Sequence, residues 1–274
     1  MLDVRPSPIA GTWYEGNARN LARVVDEYLN NAQVPPLDGE VVAVIAPHAG
    51  HRYSWPVAGN AFAAVRGMQP DLVAVISPFH NLSNYPLLTT THDAYGTPLG
   101  SIEVDRVTLT ELSTHLDIPI TPVFADKEHS LEIELPFLQR ALARDFKLLP
   151  VMIRAQELDI AKSLGNALAK VLKRRKVLLV ASSDLSHFYD QATANLLDAE
   201  MLRRFESFNP ESIFEAENTG KAFACGHAAV AAVLWASRAL GASKVQILRH
   251  ATSGDVTGDF TSVVGYGAAV VLKS

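Results

Sequence analysis

Apolar residues along this chain follow two periodicities that alternate. Val41 to Ala46, Leu72 to Ile76 and Val177 to Ala181 are uninterrupted runs of aliphatic and β-branched residues, too short for helices. Strands covered on both faces of a parallel sheet read this way. Between them lie stripes with helical spacing. Asn17 to Asn31 carries Ala18, Leu21, Val24, Val25, Tyr28 and Leu29 on one face, and Leu158 to Arg174, Ala192 to Phe205 and Gly226 to Leu240 repeat the pattern. Further strands are expected near Ile118 to Val123, Lys147 to Ile153, Val245 to Arg249 and Val263 to Leu272. Helices are expected around Ala58 to Val65 and over Leu131 to Ala143, the second either starting or kinking at Pro136. Asn31 to Gly39 reads as a proline-containing loop, and the segment through Thr97-Pro98-Leu99-Gly100 is mixed. With no linker, repeat or low-complexity tract, the economical reading is one α/β domain over residues 1–274. Its central sheet is mostly parallel or mixed and is flanked by helices.

The three apolar runs share an ending: each leads into a histidine, namely Pro47-His48, Ser77-Pro78-Phe79-His80 and Ser182-Ser183-Asp184-Leu185-Ser186-His187. Ligands of open α/β sheets bind beyond the carboxyl ends of the strands, so these imidazoles are expected in one crevice, where they suit metal or proton chemistry. Pro47 fixes the backbone before His48, and Ala49-Gly50 removes bulk around a tight turn. A third metal ligand must come from a distant residue. Cys225, just ahead of the Gly226 to Leu240 helix, is one candidate, because a helix N-terminus stabilises a thiolate. His227, Glu128 and Asp184 are the others, a carboxylate completing the facial triad of non-haem iron enzymes. Asp184 and His187, three residues apart, fit an acid/base histidine oriented by a carboxylate. Glu128 and His129 lie side by side in Asp126-Lys127-Glu128-His129-Ser130, where Ser130 and Glu132 are equally suited to cap the following helix.

Composition narrows the function classes. A chain of 274 residues that is 48% hydrophobic can bury a full core, and the net charge of −5 brings no basic surface for nucleic acid. Lys173-Arg174-Arg175-Lys176 is the longest basic tract, and it closes a helix, where cations suit the dipole. The first residues carry no apolar signal region, and no stretch approaches a membrane span. A single cysteine excludes an internal disulfide framework, so a reducing compartment, most simply the cytoplasm, is expected.

Seven segments in order resemble the Memo family: Ala10-Gly11-Thr12-Trp13-Tyr14, Pro47-His48-Ala49-Gly50, Ser77-Pro78-Phe79-His80, Glu128-His129-Ser130-Leu131-Glu132, Ser182 to His187, Cys225-Gly226 and Ser253 to Asp259. The resemblance runs from about Arg5 to Leu272 and implies a fold similar to the catalytic subunit of class III extradiol dioxygenases. It implies a metal on His48, His80 and Cys225, with His187 at the acid/base position and Trp13 and Tyr53 near the pocket. Iron(II) is the first expectation, with copper or zinc as alternatives. On that footing the chain is an iron oxidoreductase acting on a small aromatic molecule or oxygen, with His129 steadying the bound oxygen. The alternatives are a binding module for a peptide or acidic ligand with a structural or stored metal, and, less favoured, a zinc hydrolase. Family members occur beside radical-SAM proteins, which implies a shared pathway. Two positions depart from the family pattern. Trp55 stands where glycine usually follows Tyr-Ser, which suggests a bulkier loop behind His48. His227 replaces the start of a Pro-Ile pair and brings a further imidazole near the metal.

Overall fold

The structure is a computed structural model that describes residues 2–124 and 126–274. Its first half runs β1 (Val4–Arg5), α1 (Ala18–Asn31), β2 (Glu40–Ala46), α2 (His51–Ala63), β3 (Leu72–Pro78), β4 (Leu87–Thr90), β5 (Ala94–Thr97), β6 (Gly100–Glu103), α3 (Arg106–Thr114) and β7 (Ile120–Val123). A 3₁₀ turn (Glu132–Glu134) leads into α4 (Leu135–Ala141), then β8 (Lys147–Ile153), α5 (Leu158–Leu172), β9 (Val177–Ser182) and β10 (His187–Tyr189). The chain ends with α6 (Gln191–Glu206), α7 (Pro210–Asn218), α8 (His227–Ala239), β11 (Lys244–Thr252), α9 (Gly254–Thr257) and β12 (Val263–Lys273).

The domain is α/β with a mixed sheet. At its centre β2, β9, β3 and β8 lie side by side and parallel, in that order. Antiparallel β12 adds beyond β2 and also pairs with β10 and β11, while β4 adds antiparallel to β8 and parallel to β7. Beside this sheet β1, β5 and β6 form a small separate one. Helix α8 crosses β2, β9, β3 and β8 with α5 packed along it, and α2 packs on β2, β11 and β12 with α1 and α4 against it. The strands β3 and β9 are buried almost end to end, which is why they read as unbroken apolar runs. No helix among the described residues is long and apolar enough to cross a membrane.

Several boundaries differ from the sequence reading. Helix α2 begins at His51 rather than near Ala58, with Pro56 inside it; Trp55, Val57 and Ala58 are buried, and their packing outweighs the hydrogen bond lost at the proline. Pro136 lies in the first turn of α4, so the helix starts there rather than kinking. The mixed segment holds β4, β5 and β6, four residues each and too short to show a period. Helix α7, nine residues long, was not expected from the apolar pattern either.

A candidate metal centre at the strand ends

Adjacent strands deliver the first wall of the site. Ala46 at the end of β2 faces Ser182 at the end of β9 in the parallel register, and two residues past Ala46 comes His48, which is buried. Its Nδ1 lies 2.8 Å from Ser182 Oγ, and its backbone N–H donates to Asp184 Oδ1 at 2.7 Å. The carbonyl of Asp184 accepts from the backbone N–H of Cys225 at 3.2 Å, so Asp184 ties the two loops together. Cys225 Sγ then sits 3.1 Å from His48 Nε2. Glycine is required next. A Cβ on Gly226 would stand 2.3 Å from the Ser182 carbonyl oxygen, so only glycine lets the start of α8 approach β9 closely enough to bring the thiol to His48.

The second wall is organised by one carboxylate. Glu128 Oε1 accepts from His80 Nδ1 at 2.9 Å and lies 3.2 Å from His129 Nδ1. The same carboxylate accepts from the backbone N–H groups of His80, His129 and Ser130 at 2.6, 2.9 and 3.0 Å. The loop carrying it is gripped by the buried Arg5, which donates to both Asp126 carboxylate oxygens at 2.9 and 2.7 Å. Arg5 also donates to the Glu128 carbonyl at 2.9 Å and to Glu132 Oε2 at 2.6 Å. Tyr14 donates to the other Glu132 oxygen at 2.7 Å, and the neighbouring Trp13 ring lies over His129 with centroids 4.2 Å apart.

His48, His80 and His129 therefore converge, each offering a ligand atom within 4.8 Å of the others. Their Nδ1 atoms are engaged by Ser182 and Glu128, which leaves Nε2 for an ion, the usual arrangement of metal-binding histidines. The group fits a transition metal.

Electrostatics support the same reading. Burial pushes His48 well below the usual histidine range and brings His129 down to about 4, so both imidazoles stay neutral, as ligands must. Burial works against the charge on Glu128, but its bonds to His80 and the nearby His129 hold it down at about 2. Burial raises Asp184 to about 7, opposed by the N–H of His48. Burial also drives the Cys225 thiol well above its ordinary value, with Asp184 adding to the effect. Desolvation thus opposes the thiolate that the helix terminus favours.

His48, His80 and His129 come together, with Cys225 in contact with His48; His129, first read as a proton-transfer or oxygen-steadying group, lies among the candidate ligands. Cys225 and His187 line a cavity of about 370 Å³ with Tyr189, Phe223, Glu217 and His227. Burial lowers the pKa of His187, and its Nδ1 lies 2.8 Å from the Leu185 carbonyl. Asp184 does not orient it; the carboxylate turns to the backbone of His48 instead. His227 is held by the carbonyls of Ala224 and Gln156 at 3.0 and 3.3 Å and by Glu217 at 3.3 Å, away from the three imidazoles. Ser130 and Glu132 do not cap a helix: Ser130 Oγ donates to the Pro78 carbonyl, and Glu132 takes Arg5. Tyr53 is partly exposed in the first turn of α2. Trp55 is buried beside Tyr14 and Phe137 rather than in the loop behind His48. Arg5 gave no signal in the sequence, since its partners lie more than a hundred residues away.

Fold and site together define an α/β protein with a candidate mononuclear metal centre at the carboxyl ends of its parallel strands. The chain belongs to the Memo-like protein family, which it matches over residues 5–270. It is 34% identical over 271 residues to a MEMO1 family protein of Nitrosopumilus maritimus, covering 97% of this chain and 98% of that one. A MEMO1 family protein of Methanococcoides burtonii is 33% identical over 270 residues, covering 98% and 100%.

Proposed function

We propose that the chain binds one transition metal ion on His48, His80 and His129, with Cys225 as a further donor at the His48 edge, and uses it for oxidation–reduction of a small aromatic molecule. The convergence of three imidazoles, each with Nδ1 engaged, carries this reading. Three imidazoles and a thiol would suit iron(II), which would supply the redox chemistry that zinc cannot. A bound iron ion would supply Lewis acidity and electron transfer, and its charge would favour the thiolate form of Cys225.

The chain's own residues would do the rest. The cavity beside Cys225 is lined by Tyr189 and Phe223, whose near-parallel rings lie with centroids 6.0 Å apart, an apolar edge suited to an aromatic ring. His187 is kept neutral by burial, and with Nδ1 turned to the Leu185 carbonyl its Nε2 lone pair is free to take a proton from a hydroxyl in that cavity. Asp184 holds His48 and Cys225 in register, and Trp13 shields His129. Likeness to class III extradiol dioxygenases belongs to this proposal. A second reading, a binding module for a peptide, draws on the exposed aromatic side chains of Trp13, Tyr53, Phe188 and Tyr189.

The test is to load the protein with iron(II) without oxygen, add a panel of catechols under air, and follow oxygen uptake and ring-opened products. Uptake that depends on His187 supports the redox reading. Full metal occupancy with no uptake on any substrate favours the binding module.

A further inference from the structure

The hydroxyl that holds His48 faces two oxygen partners with one hydrogen to give. Ser182 Oγ lies 2.8 Å from His48 Nδ1, 2.6 Å from the Ser130 carbonyl oxygen and 2.8 Å from Glu134 Oε1, all buried. A serine hydroxyl has one hydrogen to give and two lone pairs to receive. The Ser130 carbonyl can only accept, so that hydrogen goes to it. The other two partners must then donate. On the histidine this is Nδ1–H, which leaves Nε2 toward Cys225. On Glu134 it is the proton of a carboxylic acid.

We propose that Glu134 is a positioning residue, a carboxylic acid that donates to Ser182 Oγ and thereby locks His48 in the Nδ1–H form with Nε2 free for the metal. The rest of its surroundings agree. Glu134 ends the 3₁₀ turn before α4, is fully buried, and its second oxygen, Oε2, has no hydrogen-bond partner. An ionised carboxylate with one bare oxygen in such a place is costly, whereas the carbonyl oxygen of a neutral acid is tolerated much better. Burial raises its pKa far above the carboxylate range, and the nearby Asp184 adds to the shift. Without the Glu134 proton, the hydroxyl hydrogen would be drawn to the carboxylate, the Ser130 carbonyl would face a bare oxygen at 2.6 Å, and the grip on His48 would loosen. The two walls of the site thus differ in kind: His80 and His129 lean on an anion, His48 on a chain of neutral donors.

This inference rests on the reading that His48 is a ligand, and the test separates the two. Three proteins are compared: wild type, Glu134→Gln, whose amide N–H₂ replaces the acid O–H, and Glu134→Met, which cannot donate. Infrared difference spectra of metal-free protein at about neutral pH should show the carbonyl stretch of a protonated carboxylic acid in wild type that Glu134→Gln lacks. Nitrogen correlation spectra of histidine-labelled protein should give the Nδ1–H form of His48 in wild type and Glu134→Gln, and mixed forms in Glu134→Met. Cobalt(II) affinity should stay within about twofold in Glu134→Gln and fall roughly 10- to 100-fold in Glu134→Met, the usual effect of losing a group that orients a ligand. An unchanged infrared spectrum in Glu134→Gln, or a loss of affinity there as large as in Glu134→Met, overturns the proposal. If wild type binds no metal, the metal-site reading fails, and the infrared and tautomer spectra still decide the role of Glu134.

Discussion

The two walls of the centre hold their histidines by opposite means. On the His48 side the supports are short-range consequences of the sheet: β2 and β9 end in register, and Ser182 and Asp184 follow directly from the strand that neighbours His48. On the His80 and His129 side a single ionised carboxylate receives two imidazoles and three backbone N–H groups, and its loop is tied down by Arg5 from the far end of the sequence. The first wall rests on the sheet and on the buried Ser182–Glu134 hydrogen bond. The second depends on an ion-pair network, so it can be dismantled from Arg5 without touching a ligand.

Arg5→Met should give the largest effect. It strands the Asp126 and Glu132 carboxylates in a buried site, which costs about 3–5 kcal/mol when one partner of a buried pair is removed. Urea unfolding of the metal-free variant measures this, and the histidine spectra should show His129 disturbed and His48 unchanged. Equal disturbance of both histidines would abolish the distinction between the walls.

The next effect concerns pH and the first wall. Asp184 has a folded value of about 7 against an ordinary 3.8, so the native state binds its proton more tightly than the unfolded chain does. Its contribution is full below about pH 4 and is lost as pH rises through about 7, at most about 4 kcal/mol. Asp184→Asn should remove that slope, so metal-free variant and wild type diverge in the variant's favour across this window. A parallel pair of stability curves would show that Asp184 ionises freely.

Smallest in free energy is Glu128→Gln, which preserves shape but removes the charge on which the second wall leans. Metal affinity should drop about 10- to 100-fold, and His129, whose pKa the carboxylate raises, should titrate below its wild-type value of about 4. A rise instead would mean that burial alone sets this imidazole.

Legibility in the sequence followed the same division. The strands under His48 and His80 announced themselves because both faces are covered and every position is apolar, and topology alone places their ends in one crevice. Cys225 was recognisable as a helix-start thiol beside glycine, but the choice between a thiolate and a buried thiol turns on burial, which is not visible in one dimension. Glu128, His129 and Glu132 were visible as a cluster, but the same letters serve a helix cap equally well. What decided their role was Arg5, and nothing near Arg5 in the chain marks it as buried. Likewise the Asp184 and His187 spacing suggested a pair that the backbone of His48 intercepts.

The most direct test of the central claim is metal content per chain after anaerobic loading with iron(II), measured in wild type and in folded His48→Ala, His80→Ala and His129→Ala. One ion per chain in wild type, and loss of it in each variant, is the predicted result. Undiminished iron in any of the three variants would contradict a metal centre built on the converging imidazoles.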